Sequence, residues 1–167
     1  MEYALSLGSN LGDRLAGLKT AKESILHRLS VSSCDQSPVY ETAPVGVQEQ
    51  YRHLAYLNAV IIINAVEQPE TVSDIIHAVE ADMGRVRTED RFAPRPIDID
   101  ILYAGKTMSD DDNLTLPHPR WAERRFVVQP LADINPGLIF PGDHKTVAEI
   151  LKSLPNESDV TMFTENW

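Results

Sequence analysis

YLNAVIIINAV, residues 56–66, is the stretch on which the architecture turns. It is rich in Val and Ile, whose branched side chains suit a pleated, buried strand. Its apolar centre, Ala59–Ile63, is far too short to span a bilayer. Upstream, residues 32–41 read as another strand, parted from this one by a loop that begins at Ala43-Pro44-Val45-Gly46. Downstream, Pro69 suits the first turn of a helix. Val72, Ile75, Ile76, Val79 and Met83 form the apolar stripe of that helix, and Gly84 can end it.

Further out, Tyr3, Leu5 and Leu7 alternate with small or polar residues, so 2–8 reads as a strand. A helix follows, with Asp13 as N-cap and Leu15, Leu18, Ile25, Leu26 and Leu29 at helical spacing. Residues 85–96 read as a long polar loop and Ile97–Tyr103 as the fourth strand. Asp110-Asp111-Asp112 reads as a solvated excursion. Thr146 and Glu149 have capping-box spacing for a short helix near the C-terminus. The order β-α-β-β-α-β predicts an α+β, ferredoxin-like fold, an antiparallel sheet with helices on one face. No repeat or linker interrupts it, so residues 1–167 are expected to form a single domain.

The chain has 167 residues, with 15 basic and 25 acidic side chains and a net charge of −10. That balance speaks against broad binding to nucleic acid or to an anionic membrane. The lone Cys34 excludes an internal disulfide and fits a reducing cytosol. MEYALSLGSN, residues 1–10, carries Glu2 and no basic leader, so no signal peptide is expected. Seven of the ten arginines fall between Arg85 and Arg125, a concentration of positive charge within an acidic protein. Arginines gathered on an ordinary solvated face would look the same.

RFAPRPIDID, residues 91–100, lies inside that region. On a strand, Ile97, Ile99 and Ile101 point one way, and Asp98 and Asp100 the other, with backbones roughly 6–7 Å apart. Two close carboxylates repel unless a cation joins them, and Mg²⁺ takes such oxygen ligands together with phosphate. A half-wet strand has the same alternation, so both readings stand on this evidence. Pro94 and Pro96 stiffen the chain around Arg95, presenting a permanently charged group beside the carboxylates. In PHPRWAERRF, residues 117–126, Pro117 and Pro119 bracket His118, which can donate to a phosphate, and Arg124 can add another contact. Phe126 can be core or can offer a flat face to a heteroaromatic ligand. Tyr56 and Asn58 share one strand face, which suits a flat hydrogen-bonding heterocycle as well as plain cross-strand packing. Gly105-Lys106-Thr107 is not a P-loop, because Asp100 occupies the position of its first glycine.

Taken together, LGSNLGDR at 7–14, SPVYETAPVG at 37–46, YLN at 56–58, RFAPRPIDIDIL at 91–102 and LPHPRWAERRFV at 116–127 resemble the 6-hydroxymethyl-7,8-dihydropterin pyrophosphokinase family of folate biosynthesis. The resemblance implies transfer of the pyrophosphoryl group of ATP to the hydroxymethyl group of the pterin, releasing AMP. It implies that Asp98 and Asp100 bind two Mg²⁺ ions, with Arg95, Arg124 and His118 as further catalytic groups. ATP would be bound by Glu80, Arg85, Arg87, Phe92, Arg95, Ile101, Thr115, His118 and Arg124. The pterin would meet Thr42, Pro44, Val45, Gly46, Tyr56, Asn58, Asp98 and Phe126. Phe92, Ala93 and Ala43 stand where family members usually carry Trp, Gly and Pro. The expected protein is a cytoplasmic monomer acting on two small molecules, without nucleic acid or membrane. A binding module without turnover, or a paralogue with altered pterin preference, is the competing reading, and an RNA-binding sheet domain is a more distant one.

Overall fold

The computed structural model describes residues 1–44, 48–86, 90, 93–155 and 160–167. Val45, Gly46, Arg87 and Phe92, expected at the site, lie outside the described residues. The first strand is β1 (Glu2–Ser9), followed by α1 (Arg14–Arg28). Asp13 caps α1 as its sequence position suggests, its Oδ1 accepting from the Ala16 N–H at 3.0 Å. Leu18, Ala21 and Ile25 are the buried side of that helix.

Where the sequence suggests one strand over 32–41, there are two, β2 (Val31–Gln36) and β3 (Val39–Thr42). Both run antiparallel to β4 (Tyr56–Ala65). The interruption is Ser37-Pro38. Pro38 has no N–H to give a ladder. Ser37 fills in with both its groups: its N–H donates to the Val60 carbonyl at 2.9 Å, and its Oγ accepts from the Val60 N–H at 3.0 Å. Then come α2 (Pro69–Asp82), with Pro69 in its first turn, and β5 (Asp98–Ala104).

The strand order is β5-β1-β4-β3, extended by β8 (Val160–Thr164), while β2 continues the β3 side of β4. Tyr3, Leu5 and Leu7 of β1 and Ile99 and Ile101 of β5 meet α1 and α2 on one face. Helices on one face only is too simple, however. The other face carries α3 (Arg125–Ile134) and α4 (Val147–Ser153), packed on Ala4, Val60, Ile62 and Leu102. The capping box of Thr146 and Glu149 is present at the start of α4. The acidic excursion is a small hairpin, β6 (Ser109–Asp111) with β7 (Leu114–Leu116). Among the described residues no helix is long and apolar enough to cross a membrane.

The register explains which face each carboxylate takes. Opposite β1, the ladder slips between Ala4 and Leu5, so Leu102 has no single partner. This bulge turns both Leu102 and Tyr103 toward α3 and α4. Before it, strict alternation sends Ile99 and Ile101 to the α1–α2 core and leaves Asp98 and Asp100 on the α3 side.

Candidate active site

Asp98 and Asp100 sit at the start of the edge strand β5 and are only partly buried. Asp98 is held from two directions. Its Oδ1 lies 2.6 Å from Arg85 Nη1 and its Oδ2 lies 3.1 Å from Arg95 Nη1. Asp100 has looser partners, His118 Nε2 at 3.9 Å and Arg124 Nη1 at 3.6 Å. Burial and the neighbouring Asp98 charge push the Asp100 carboxyl above the usual range, while His118, Arg124 and Arg85 pull the other way.

Glu80 plays a supporting part from α2. It is buried, and its Oε1 accepts both from the Ile99 N–H at 2.8 Å and from Arg85 Nη1. One carboxylate thus ties the backbone of β5 to the arginine that grips Asp98. Burial alone would lower the Arg85 guanidinium, but Asp98 and Glu80 outweigh it and the group is raised.

His118 is fixed at both ends. Its N–H donates to the Leu102 carbonyl at 2.9 Å, and its Nδ1 accepts from the Arg120 N–H at 3.0 Å. An accepting Nδ1 leaves the proton of the neutral ring on Nε2, the atom turned to Asp100. Burial holds the imidazole below its ordinary range, with Arg124 and Arg120 acting in the same sense against Asp100. The Arg124 guanidinium is 5.8 Å from the centroid of the Phe126 ring. Phe126 lies in the first turn of α3, on the same side of the sheet.

Beside the carboxylates is a cleft of about 180 Å³. Ile76 and His77 of α2, Ile99 and Ile101 of β5, and Thr115 of β7 form its walls, with Asp100 and His118 at its edge. Ile101 and Thr115 are therefore brought together with the charged cluster, whereas Glu80 lies beneath it in the protein interior.

The polar residues of β3 and β4 form the other side. Asn58 Nδ2 donates to Thr42 Oγ1 at 2.9 Å, and both residues are buried. Burial raises the Tyr56 phenol, and Arg95, Asp98 and Arg85 are the charges that act on it. Tyr56 and Asn58 thus share a sheet face with Asp98. Pro44 is partly buried just past β3.

Between these two halves lies a residue that is absent from the expected site. Gly8 pairs with Asn58 on one side and with Asp98 on the other. It leaves an open floor between the carboxamide and the carboxylate, and a Cβ there would come within 3.3 Å of Asn58 Oδ1. The alternation of Tyr3, Leu5 and Leu7 already put Gly8 on the face opposite the isoleucines. Finding its two neighbours required the strand register. Gly8→Val is expected to weaken binding of a flat heteroaromatic ring on this floor by about tenfold or more. Binding of a polyphosphate at the carboxylates should stay near its original strength, and Val is at home in a strand. Titration of each ligand class in turn will check this, and an equal loss for both counts against a floor for the ring.

Paired carboxylates ringed by fixed cations, beside a partly apolar cleft, have the chemistry of a site for a polyphosphate and a hard cation. The comparisons with known proteins agree. The sequence model described as 7,8-dihydro-6-hydroxymethylpterin-pyrophosphokinase (HPPK) matches residues 4–136. The 2-amino-4-hydroxy-6-hydroxymethyldihydropteridine pyrophosphokinase of Methylorubrum extorquens is 40% identical over 151 residues, 90% of this chain and 91% of that protein. The folic acid synthesis protein fol1 of Schizosaccharomyces pombe is 35% identical over 92% of this chain, which spans only 20% of its length. A crystal structure of HPPK-DHPS in complex with substrates shares the fold at a TM-score of 0.66 and 15% identity, over 91% of this chain and 43% of that one. The chain belongs to the 7,8-dihydro-6-hydroxymethylpterin-pyrophosphokinase family.

Proposed function

We propose that the protein transfers the pyrophosphoryl group of ATP to the hydroxymethyl group of 6-hydroxymethyl-7,8-dihydropterin and releases AMP. The observation that carries this reading is the Asp98–Asp100 pair, facing Arg85, Arg95, Arg124 and His118 at the start of β5. In the reaction, the hydroxymethyl oxygen bonds to the β-phosphorus. The bond from that phosphorus to the oxygen it shares with the α-phosphate breaks, and AMP leaves with that oxygen. Asp100 is the group we assign to take the hydroxyl proton.

Asp98 and Asp100 fit a hard divalent cation. They offer oxygen donors on one strand face, and their mutual repulsion is what a cation would relieve. No group of three acidic, His or Cys ligands occurs among the described residues, so phosphate oxygens and water would complete the coordination. When bound, two Mg²⁺ ions held by these carboxylates would neutralise charge on the triphosphate.

Arg95, Arg124 and His118 then hold the phosphates, and Arg85 and Arg87 act with them from the α2–β5 connection. The cleft lined by Ile101 and Thr115 takes the nucleoside, with Glu80 beneath it, and Phe92 is assigned to the same ligand on the family relation alone. Tyr56 and Phe126 stack on the pterin, while Asn58, Thr42, Pro44, Val45 and Gly46 read its polar edge. The family relation supports these assignments. We also propose that residues 1–167 form one domain that works as a monomer in the cytosol, which suits an unpaired and exposed Cys34.

The test is nucleotide and pterin analysis after incubation with MgATP and 6-hydroxymethyl-7,8-dihydropterin. AMP and pyrophosphorylated pterin should appear in equal amounts. ADP as the product, or no pterin-dependent product at all, would overturn the assignment.

A further inference from the structure

Residues 93–96 carry Arg95 to the carboxylates, yet they belong to no helix or strand. Pro94 and Pro96 have no N–H, so the Arg95 N–H is the one backbone donor across three residues. It goes to Asn10 Oδ1, at 2.8 Å. In return, the Asn10 N–H donates to the Arg95 carbonyl at 3.3 Å. A single asparagine thus grips the main chain of Arg95 from both sides.

Asn10 is only 3% exposed. It lies in the turn between β1 and α1, at the end of the strand that separates Asn58 from Asp98. Asparagine just ahead of a helix would ordinarily be read as its cap. Here Asp13 does that work, so capping does not explain Asn10. The same cradle includes Gly17 in the first turns of α1, where a Cβ would stand 3.2 Å from the Pro96 carbonyl oxygen. The segment is therefore seated on the β1–α1 turn through fixed polar contacts and a close backbone approach. Its side chain then reaches Asp98, with Arg95 Nη1 at 3.1 Å from Oδ2.

We infer that Asn10 is a positioning residue for catalysis: it fixes the Arg95 guanidinium against the phosphates by clasping the Arg95 main chain. It touches no reacting atom and acts through Arg95. The inference rests on the reaction proposed above. Arginine loses much rotamer freedom when ordered, and a backbone held in one place reduces what the phosphate contact must overcome.

The experiment is a double-mutant cycle of Asn10→Ala and Arg95→Ala, read in kcat and in ATP affinity. Asn10→Ala alone should lower kcat by about 10–100-fold, as for residues that orient a direct ligand. In the Arg95→Ala background, the same change should cost less than about threefold, because the group it positions is gone. Asn10→Asp keeps an Oδ acceptor for the Arg95 N–H and should restore most of the lost rate. Equal losses in both backgrounds would overturn the inference, as would an Asn10→Ala protein with undiminished kcat and ATP affinity. Should Asn10→Ala fail to fold, Asn10→Ser removes the reach to Arg95 while keeping a polar group, and the cycle is run with it. A wild-type protein that makes no AMP would sink the proposed reaction instead, and the ATP-affinity arm would still decide the role of Asn10.

Discussion

Asp98→Asn and Asp100→Asn are each expected to lower turnover by at least about 10²–10³-fold, the loss typical of one preorganised electrostatic contact. Asparagine keeps the shape and removes the charge. It also puts an amide donor where a cation or an arginine expects an acceptor. At position 98 the change frees two guanidiniums at once, since Arg85 and Arg95 both hold that carboxylate. At position 100 it removes the charge that faces His118 and Arg124. Both side chains keep substantial exposure, 31% and 40%, so neither change should unfold the protein. The check is kcat at saturating MgATP and pterin, alongside the thermal midpoint of each variant. Near-wild-type rates in both would reduce the Asp-Ile-Asp-Ile pattern to an ordinary half-wet strand.

The arrangement of partners explains why such a site can stand in a protein of net charge −10. Asp98, Asp100 and Glu80 face Arg85, Arg95 and Arg124, so the cluster is charge-balanced before any ligand arrives. In the proposed reaction, ATP and a divalent cation would bring opposite charges together. The arginines can pass from carboxylate to phosphate while the carboxylates pass from arginine to cation. No group need be left bare at an intermediate stage, which would cost several kcal/mol for a buried charge. Asp100, with contacts of 3.6 and 3.9 Å, is held less tightly than Asp98 and is the freer of the two to take a new partner.

Much of this was legible where chemistry follows a simple period. Ile99 and Ile101 against Asp98 and Asp100 divide between faces because a strand has period two, and the structure keeps that division. The stripes of α1 and α2 were legible for the same reason at period 3.6. Ser37 defeats such a reading, since one side chain replaces a ladder group and lets the strand break at Pro38. In α3, no side chain caps the N-terminus and Pro130 lies inside the helix, so the usual start and continuation signals are missing. Gly8 and Asn10 are visible as residues, but their partners are set by register and by a tertiary contact. Nothing local in LGSNLGDR encodes that Gly8 lies between Asn58 and Asp98, or that Asn10 meets a residue 85 positions away.

Phe140→Ala should destabilise the protein by about 3–5 kcal/mol, among the largest losses for a single truncation. Phe140 is almost fully buried on the α3–α4 face of the sheet. Its ring stacks on Trp121 with centroids 3.6 Å apart and planes 15° from parallel, and it meets Tyr103 edge-on at 4.8 Å. Removing it opens a cavity that two large rings cannot fill without leaving their rotamers. Trp121 is also the centre of the turn that carries His118 and Arg124, the groups proposed to hold the phosphates. Its N–H donates to the His118 carbonyl at 3.2 Å, and its own carbonyl accepts from the Arg124 N–H at 3.4 Å. A shift of Trp121 would therefore move His118 and Arg124 relative to Asp100, although Phe140 itself lies in the core. The thermal midpoint should fall by roughly 6–20 °C for a chain of this length. At a temperature where the variant is still folded, kcat should fall as well. Phe140→Leu keeps most of the volume and should recover much of the stability, but it loses the stacked ring and should recover less of the rate. A midpoint within two or three degrees of wild type, by calorimetry or urea unfolding, would show that the C-terminal layer does not support the site in this way.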